Sequence, residues 1–160
     1  MITFHDLYQR YASDVYRFAY WLSGNQAEAE DIASETFVRA WVGRHNIRTS
    51  TVKAYLFTIA RNLFLQGQRQ SKRHFELDFE QADTAPGPLE TVSAFNELET
   101  IHEALQKLPE VDRAAFLMRV LDEIPYQEIA NALSISLSAA KVKVHRTRIK
   151  LASLKKGDID

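Results

Sequence analysis

Residues 126–151 read YQEIANALSISLSAAKVKVHRTRIKL and predict a short helix, a tight turn and a longer basic helix. The apolar positions that the first helix would turn inward are Ile129, Ala130 and Leu133. Ala130 is small, which suits a place where two helices cross closely, and Ile135 would fill the turn from the core side. Ser134 occupies the turn position where glycine is usual. This arrangement is the helix-turn-helix pattern, whose second helix enters the major groove of DNA.

The second helix of this motif has a narrow apolar stripe and a broad polar face. The stripe consists of Leu137, Ala140, Val144 and Leu151. Small residues at its start, Ser138 and Ala139, would let the helix N-terminus approach base edges, while Lys and Arg side chains further along reach phosphates. An ordinary helical hairpin with a solvated basic face fits the same pattern. The motif alone therefore leaves both interpretations open.

Helical periodicity extends through most of the remaining chain. Apolar side chains recur at steps of three and four over residues 4–22, and Asn25 with the glutamate three residues later has the form of a capping box. Residues 43–50 have no period and are predicted to form a loop. A third helix, capped by Ser50 or Thr51, follows this loop. Together these elements predict a small three-helix bundle.

The helical period is lost between residues 76 and 90, where residues 85–88 read Ala-Pro-Gly-Pro. Proline blocks helix continuation and glycine adds backbone freedom, so we expect a flexible acidic linker here. Two further helices, ending near Leu108 and Leu121, lead to the helix-turn-helix motif. No strand alternation competes with these elements. The sequence therefore predicts an all-α fold of two small helical domains, an N-terminal bundle (1–75) and a helix-turn-helix domain (94–155), joined by the linker (76–93).

The net charge of −1 conceals a block pattern. Residues 36–75 carry eight basic and no acidic side chains, residues 76–106 carry eight acidic and no basic ones, and residues 129–156 carry seven basic and no acidic ones. Two basic blocks separated by an acidic one are typical of two polyanion-binding surfaces joined by a segment that repels polyanions. A solvated helix face explains one such block, but two blocks favour nucleic acid as a partner.

Composition excludes several classes of protein. The 46% of apolar and 26% of charged residues exclude wholesale disorder, and the absence of cysteine excludes disulfides and thiol chemistry. The five histidines match no metal-ligand motif, and no carboxylate pair has a nucleophile at a readable spacing. We therefore expect no enzyme, no metal and no cofactor. The N-terminus lacks a signal-peptide pattern and no apolar run is long enough to span a bilayer, so we expect a cytoplasmic protein without membrane insertion.

Several stretches resemble, in order and spacing, the extracytoplasmic-function subfamily of bacterial sigma-70 factors. Residues 28–41 (EAEDIASETFVRAW) resemble the family's helix that binds core RNA polymerase. Residues 54–63 (AYLFTIARNL) resemble its downstream-promoter helix. The family's second DNA-binding domain is resembled by LQKLPE (105–110), YQEIA (126–130) and VHRTR (144–148).

The resemblance covers about residues 4–72 and 94–155, with departures at a few positions. Gln66 replaces the family's frequent aspartate, and Gly67 follows it inside a helix, so we expect this helix to fray there. In the last helix, residues 138–144 lack a threonine and an arginine that the family commonly has. No additional C-terminal domain is expected after the last helix.

The resemblance implies a transcription initiation factor that binds core RNA polymerase, recognises the −10 and −35 promoter elements and assists promoter melting. The polymerase contacts it implies are Glu28, Asp31, Glu35 and Phe37. The −10 contacts it implies are Arg44, His45, Asn46, Arg48, Lys53, Arg61, Asn62 and Arg69. The −35 contacts it implies are Ser138, Lys141, Lys143, Arg146 and Arg148.

Two of these assignments have alternatives in the residues themselves. The carboxylates of the first group also suit a helix N-terminus, where Glu28 would complement the helix dipole. Asn46 offers an amide edge for hydrogen bonds to an extruded base, but a solvated loop in which Asn46 favours a turn fits as well. The residues alone do not choose between these interpretations.

The resemblance implies as partners bacterial core RNA polymerase, promoter DNA and an anti-sigma factor. An alternative is a transcriptional regulator that binds duplex DNA alone through residues 126–151. An RNA-binding adaptor is a third interpretation, but the sequence lacks the aromatic motifs and sheet platform of common RNA-binding modules. The stand-alone regulator and the sigma factor can be distinguished by one measurement, because only the regulator would shift the mobility of promoter DNA without polymerase.

Overall fold

The computed structural model describes residues 3–47, 51–77 and 96–157, and within them the chain is all helical. The helices are α1 (Phe4–Ser23), α2 (Gln26–Val42), α3 (Val52–Leu77), α4 (Asn96–Gln106), α5 (Glu110–Asp122), α6 (Tyr126–Leu133) and α7 (Leu137–Gly157), with a 3-10 turn at Arg44–Asn46. The predicted all-α class is confirmed for this part of the chain. Most of the predicted linker, residues 78–93, lies outside the described residues.

Side-chain and glycine caps fix the ends of the first two helices. Thr3 Oγ1 accepts a hydrogen bond from the Asp6 N–H (3.0 Å) and Asp6 Oδ2 accepts one from the Thr3 N–H (3.3 Å), a capping box that the sequence analysis missed. These bonds lower the pKa of Asp6. α1 ends at Gly24, where φ is +76°. Asn25 then caps α2 through a 2.7 Å bond from the Glu28 N–H, as predicted.

Helices α1, α2 and α3 pack around an apolar core. Its centre is the stacked pair Phe18 and Phe57, whose ring centroids are 4.5 Å apart, and both rings are fully buried. Thr51, one of the two predicted caps, accepts from the Ala54 N–H at the start of α3. The prediction that the helix frays at Gly67 was wrong, because α3 continues through this residue to Leu77.

Helices α6 and α7 form the predicted helix-turn-helix unit. Ser134 adopts the left-handed conformation (φ 58°, ψ 45°) that usually selects glycine, and the Ile135 N–H closes the turn on the Ala130 carbonyl (3.0 Å). Ser136 caps α7 by accepting from the Ala139 N–H (3.0 Å). A serine side chain thus tolerates the strained position because backbone bonds on both sides hold the turn.

One buried cation ties α5 to the end of α4. Arg113 is 5% exposed, and its Nη1 donates to the backbone carbonyls of Leu105 (3.2 Å), Gln106 (3.3 Å) and Leu108 (3.1 Å). These carbonyls belong to a helix C-terminus, where intrahelical donors are lacking. The guanidinium therefore supplies donors to these three acceptors, of which the Leu105 carbonyl also accepts from the Leu108 N–H (3.1 Å).

The N-terminal helices (α1–α3) and the C-terminal helices (α4–α7) share one continuous core. The sequence predicted two small helical domains but did not predict this packing between them. α1 packs on α4 and α5, and α3 packs on α5 and α6. Gln106 Nε2 donates to the Trp21 carbonyl (2.9 Å), and a Cβ added at Gly24 would lie only 2.9 Å from the Gln106 side chain. The left-handed backbone and this close approach both favour glycine at position 24.

We expect Arg113→Met to lower the free energy of unfolding by roughly 2 to 4 kcal/mol, because one buried and two part-buried carbonyls lose a charged donor. Chemical denaturation followed by circular dichroism measures this change. Arg10→Met, at an exposed position of α1, is the control and should change the free energy little. A decrease below about 1 kcal/mol at position 113 would show that water replaces the guanidinium without cost.

Candidate nucleic-acid interface

The outer face of α2 is acidic and apolar at once. Asp31 and Glu35 are exposed, and Glu35 accepts a hydrogen bond from Arg39 on the next turn (3.1 Å). Beside them Val38 is 51% and Val42 is 75% exposed. These two valines were not among the predicted contacts, although they lie off the buried face of α2 formed by Ile32, Phe37 and Ala40, which was a readable signal. An apolar strip bordered by carboxylates is suited to a protein partner with an apolar centre and a basic rim.

Two of the expected polymerase contacts occupy different environments from Asp31 and Glu35. Phe37 is 1% exposed and its ring packs edge-on against Tyr8 (5.1 Å), so it supports α2 from the core side and its assignment as a surface contact is corrected. Glu28 is partly buried against α3, where burial raises its pKa and a hydrogen bond with Gln68 offsets this in part. Asp31 and Glu35 remain the exposed carboxylates of the predicted set.

The segment after α2 presents three polar side chains to solvent. Arg44, His45 and Asn46 are all exposed within a single 3-10 turn. The Arg44 guanidinium lies 4.1 Å from the centre of the Trp41 ring and donates to the Trp41 carbonyl (2.7 Å), and these two contacts fix its orientation. Arg48 lies outside the described residues.

The predicted −10 residues on α3 divide into two groups. Asn62 and Arg69 are exposed. Lys53 and Arg61 instead form ion pairs with the C-terminal helices: Arg61 binds both oxygens of Glu110, at 2.7 Å from Nε and 2.7 Å from Nη2. Sequence reasoning did not foresee these pairs, because the partners are far apart in the chain.

Asp122, at the end of α5, is the second acidic partner of α3. Its side chain is 2% exposed, and its Oδ1 accepts from Lys53 (3.1 Å) and from Arg17 (3.5 Å), while Oδ2 is buried without a partner. Burial raises the pKa of Asp122, and the two cations offset this only in part. Burial lowers the pKa of Lys53, but Asp122 and Asp14 outweigh it and the pKa is raised overall. The lysine therefore stays charged beside a carboxylate that is incompletely compensated.

The basic face of α7 is mostly free in the described chain. Ser138, Lys141, Arg146 and Arg148 are exposed, so all four of these predicted −35 residues are accessible to a partner. Lys143 is half-buried and donates to Asp112 of α5 (2.9 Å), so its ammonium group is already paired in the described structure. Thr147, between the two arginines, is buried and belongs to the core.

Within the described ranges, no group of His, Asp and Glu side chains is arranged to hold a metal ion. None of the described helices is long and apolar enough to cross a bilayer. The features that the structure does present are an acidic and apolar face on α2, an exposed polar turn at 44–46, and a basic helix in a helix-turn-helix unit.

Comparisons with known proteins agree with this set of features. The family described as Sigma-70 region 2 matches residues 7–74, and the family described as Sigma-70, region 4 matches residues 98–151. The chain is 30% identical to the ECF RNA polymerase sigma factor SigM of Bacillus subtilis, over 96% of this chain and 95% of the relative. It is 32% identical to SigW of the same species (91% and 84% covered) and 33% identical to SigE of Mycolicibacterium smegmatis (94% and 61% covered).

Solved structures show the same architecture. The sigma factor RpoE of Bartonella quintana, solved in complex with the anti-sigma factor NepR, superposes with a TM-score of 0.79 at 26% identity, with 96% of both chains covered. CnrH, solved with the cytosolic domain of CnrY, has a TM-score of 0.69 at 21% identity, over 97% of this chain and 88% of CnrH, and supports the fold alone. The matched regions, their order and the whole-length relatives place the chain in the extracytoplasmic-function (ECF) subfamily of sigma-70 RNA polymerase sigma factors.

Proposed function

We propose that this sigma factor directs core RNA polymerase to promoters through three separate surfaces: α2 for polymerase, the 44–46 turn with α3 for the −10 element, and α7 for the −35 element. The observation that carries the proposal is the order of the two sigma regions along a chain that matches SigM over nearly its whole length. The surfaces described above supply each region with side chains suited to its role.

The polymerase surface is centred on Asp31, Glu35, Val38 and Val42. Exposed apolar side chains at the centre of an interface contribute affinity, and the carboxylates around them steer association with a basic partner surface. Phe37 and Tyr8 hold α2 rigidly from behind, so the face is largely preformed. Glu28 acts mainly in the α2–α3 packing and as part of the helix N-terminus.

The −10 surface combines a polar turn with phosphate-binding cations. Asn46 supplies both a donor and an acceptor for a base that leaves the stack, and Arg44 supplies a guanidinium that is already oriented by Trp41. Arg69 reaches the phosphate backbone of the DNA. Lys53 and Arg61 reach the same backbone once their ion pairs with Asp122 and Glu110 of α5 break. Asn62 is exposed on the same helix and contacts the DNA backbone beside Arg61 and Arg69.

The −35 surface is the exposed face of α7. Ser138 and Lys141 lie near the helix N-terminus, which enters the major groove in helix-turn-helix proteins. Arg146 and Arg148 lie farther along and reach phosphates, as does Lys143 after it leaves Asp112. The packing of α6 and α7 around the Ser134 turn fixes the angle at which this face meets the duplex.

We also propose the division of the chain into units 1–75 and 94–155 with a linker at 76–93, and regulation by an anti-sigma factor. The similarity to RpoE, which was solved with its anti-sigma factor, supports that partner. The chain acts without catalytic chemistry of its own, alongside polymerase in the cytoplasm. Run-off transcription on a promoter library, with and without the chain, tests the function: we expect new promoter-specific transcripts only when core polymerase and the chain are both present.

The alternative of a stand-alone regulator predicts a different result. Such a protein would shift promoter duplex in the absence of polymerase and would give no run-off products with it. The match of residues 7–74 to Sigma-70 region 2 favours the sigma-factor role, because a stand-alone duplex reader needs only the helix-turn-helix unit.

We expect Asp31→Arg with Glu35→Arg to abolish most core-polymerase binding in a pulldown and to leave the helical circular dichroism intact. The reversed charges repel a basic partner surface without touching the core. Glu97→Arg with Glu123→Arg makes the same charge change at exposed positions of the C-terminal helices and should bind as the parent does. If Asp31→Arg with Glu35→Arg bound core polymerase as strongly as the control and the parent do, α2 would not be the docking face.

We expect Lys143→Ala with Arg146→Ala to weaken binding of the holoenzyme to duplex promoter DNA, that is, formation of the closed complex. The slope of log affinity against log salt should flatten by roughly 0.9 for each phosphate that the variant no longer neutralises. Filter binding at several salt concentrations measures both effects. An unchanged slope would place these two side chains away from the DNA backbone.

We expect Asn46→Ala to leave closed-complex binding unchanged and to reduce promoter opening. A base that has left the stack is deprived of a hydrogen-bonding partner, so an artificially melted bubble should restore opening only in part. Permanganate footprinting of unpaired thymines measures opening on both templates. Full opening by this variant on every promoter tested would mean that the 44–46 turn is only a solvated connector.

A further inference from the structure

The helix α7 carries apolar side chains on two opposite faces. Ala140 and Val144 are fully buried, on a helix that packs against α5 and α6. Val142 and Ile149 are exposed instead, with 43% and 53% of their surfaces open to solvent. An α-helix turns about 100° per residue, so Val142 lies roughly 160° from both Ala140 and Val144. Val142 therefore occupies the centre of the outward face of α7, opposite the core.

Basic side chains flank this outward position on both sides. Lys141 and Lys143 are the chain neighbours of Val142, and they lie about 100° to either side of it around the helix axis. Lys141 is exposed and Lys143 is half-buried. Farther along the helix, Arg148 and Lys150 are both exposed and repeat the arrangement. The outward face of α7 thus has an apolar centre between two rows of positive charge.

This distribution of charge and apolar surface matches the major groove of duplex DNA. A helix in this groove has a phosphate backbone on each side and base edges in front of it. Residues 129–156 carry no acidic side chain that would repel either backbone. Ser138, which the proposed function places near the groove, is exposed one turn before Val142 on the same outward face. Val142 therefore faces base edges rather than phosphates.

Thymine is the base that an apolar side chain recognises in the major groove, because it is the one standard base that presents a methyl group there. A valine in a helix has one strongly preferred rotamer, so it loses little conformational entropy when it packs against this methyl group. Against cytosine or guanine the same side chain would cover a hydrogen-bonding group without offering it a partner. Val142 thus favours thymine both by contact and by exclusion of other bases.

We propose that Val142 is a specificity-determining residue that contacts the 5-methyl group of one thymine in the −35 element. The inference rests on the proposed function, which assigns α7 to this element. It goes beyond that function because it requires an A·T pair at one position of the promoter sequence. It also adds an apolar contact to a set of predicted −35 residues that consists of one serine and four cations.

The test removes the methyl group from the DNA and the valine from the protein separately. A promoter is first chosen by run-off transcription from the library, and each thymine of its −35 element, on either strand, is replaced in turn by deoxyuridine. Uracil differs from thymine only by lacking the methyl group. Filter binding then gives the affinity of each duplex for holoenzyme that contains the parent chain, Val142→Ala or Val142→Ile.

We expect one of the uracil substitutions to weaken binding of the parent holoenzyme roughly fourfold, which is the effect of losing one buried methyl group. Val142→Ala should bind the thymine promoter more weakly than the parent does and should not respond to that substitution. Val142→Ile keeps an apolar branched side chain and should respond as the parent does.

A matched control makes the same change on another helix. Val120→Ala, on α5, removes a valine that is 42% exposed, against 43% for Val142, and it should keep the parent's response to uracil. Circular dichroism and a core-polymerase pulldown should give the same result for the parent and all the variants, because none of the substitutions alters the core or the α2 face.

Four results would overturn the proposal: a −35 element composed only of G·C pairs, no response of the parent to any uracil, an equal response in Val142→Ala and the parent, or weaker binding of Val142→Ala to core polymerase. The last result would show that Val142 faces a protein. If the parent gives no promoter-specific transcripts, the proposed function fails instead. The same uracil series on duplexes selected by the free chain then decides whether Val142 contacts thymine.

Discussion

The burial of α5 on all sides is the constraint on which the rest of the structure depends. Every residue from Arg113 to Met118 is buried, including one cation, so this helix has no solvent-facing side along its centre. A helix that is apolar all round must be surrounded by other helices. α4, α6 and α7 of the C-terminal helices contact α5, and so do α1 and α3 of the N-terminal helices. The chain thus closes around α5, and its charged ends, Glu110 and Asp122, meet the cations of α3.

Local features of the fold were predictable because local residues determine them. The α6 helix begins and ends where the sequence predicted, at Tyr126 and Leu133, since Pro125 precedes it and a turn residue ends it. The cap of α2 at Asn25 was predicted for the same reason. The Ser134 turn shows the strength of the pattern: the apolar spacing on both sides identified the motif although glycine is absent. The capping box of Thr3 and Asp6 was equally local and was missed.

Contacts between distant residues could not be read in the same way. Charge blocks indicated that α3 was basic and the following segment acidic, but nothing in them determined that Glu110 would meet Arg61. The run from Ala114 to Met118 was a usable signal, because five consecutive apolar residues exceed one face of a helix. Phe37, by contrast, was predicted to be a surface contact although its position in the sequence was readable as buried. The resemblance implied a surface contact at Phe37, whereas its three- and four-residue spacing from Ala33, Ala40 and Trp41 already favoured the core.

The central claim is that Lys53 and Arg61, which pair with Asp122 and Glu110 of α5 in the free chain, contact promoter DNA in the holoenzyme, so α3 and α5 must separate between these states. Because the chain has no cysteine, spin labels can be attached at Gln9→Cys on α1 and Ser153→Cys on α7 without removing native thiols. Pulsed electron–electron double resonance then measures the distance between the two labels, on α1 and α7, in the free chain and in the holoenzyme on a promoter. The account predicts one short distance in the free chain and a longer one on the promoter. The same distance in both states would contradict it.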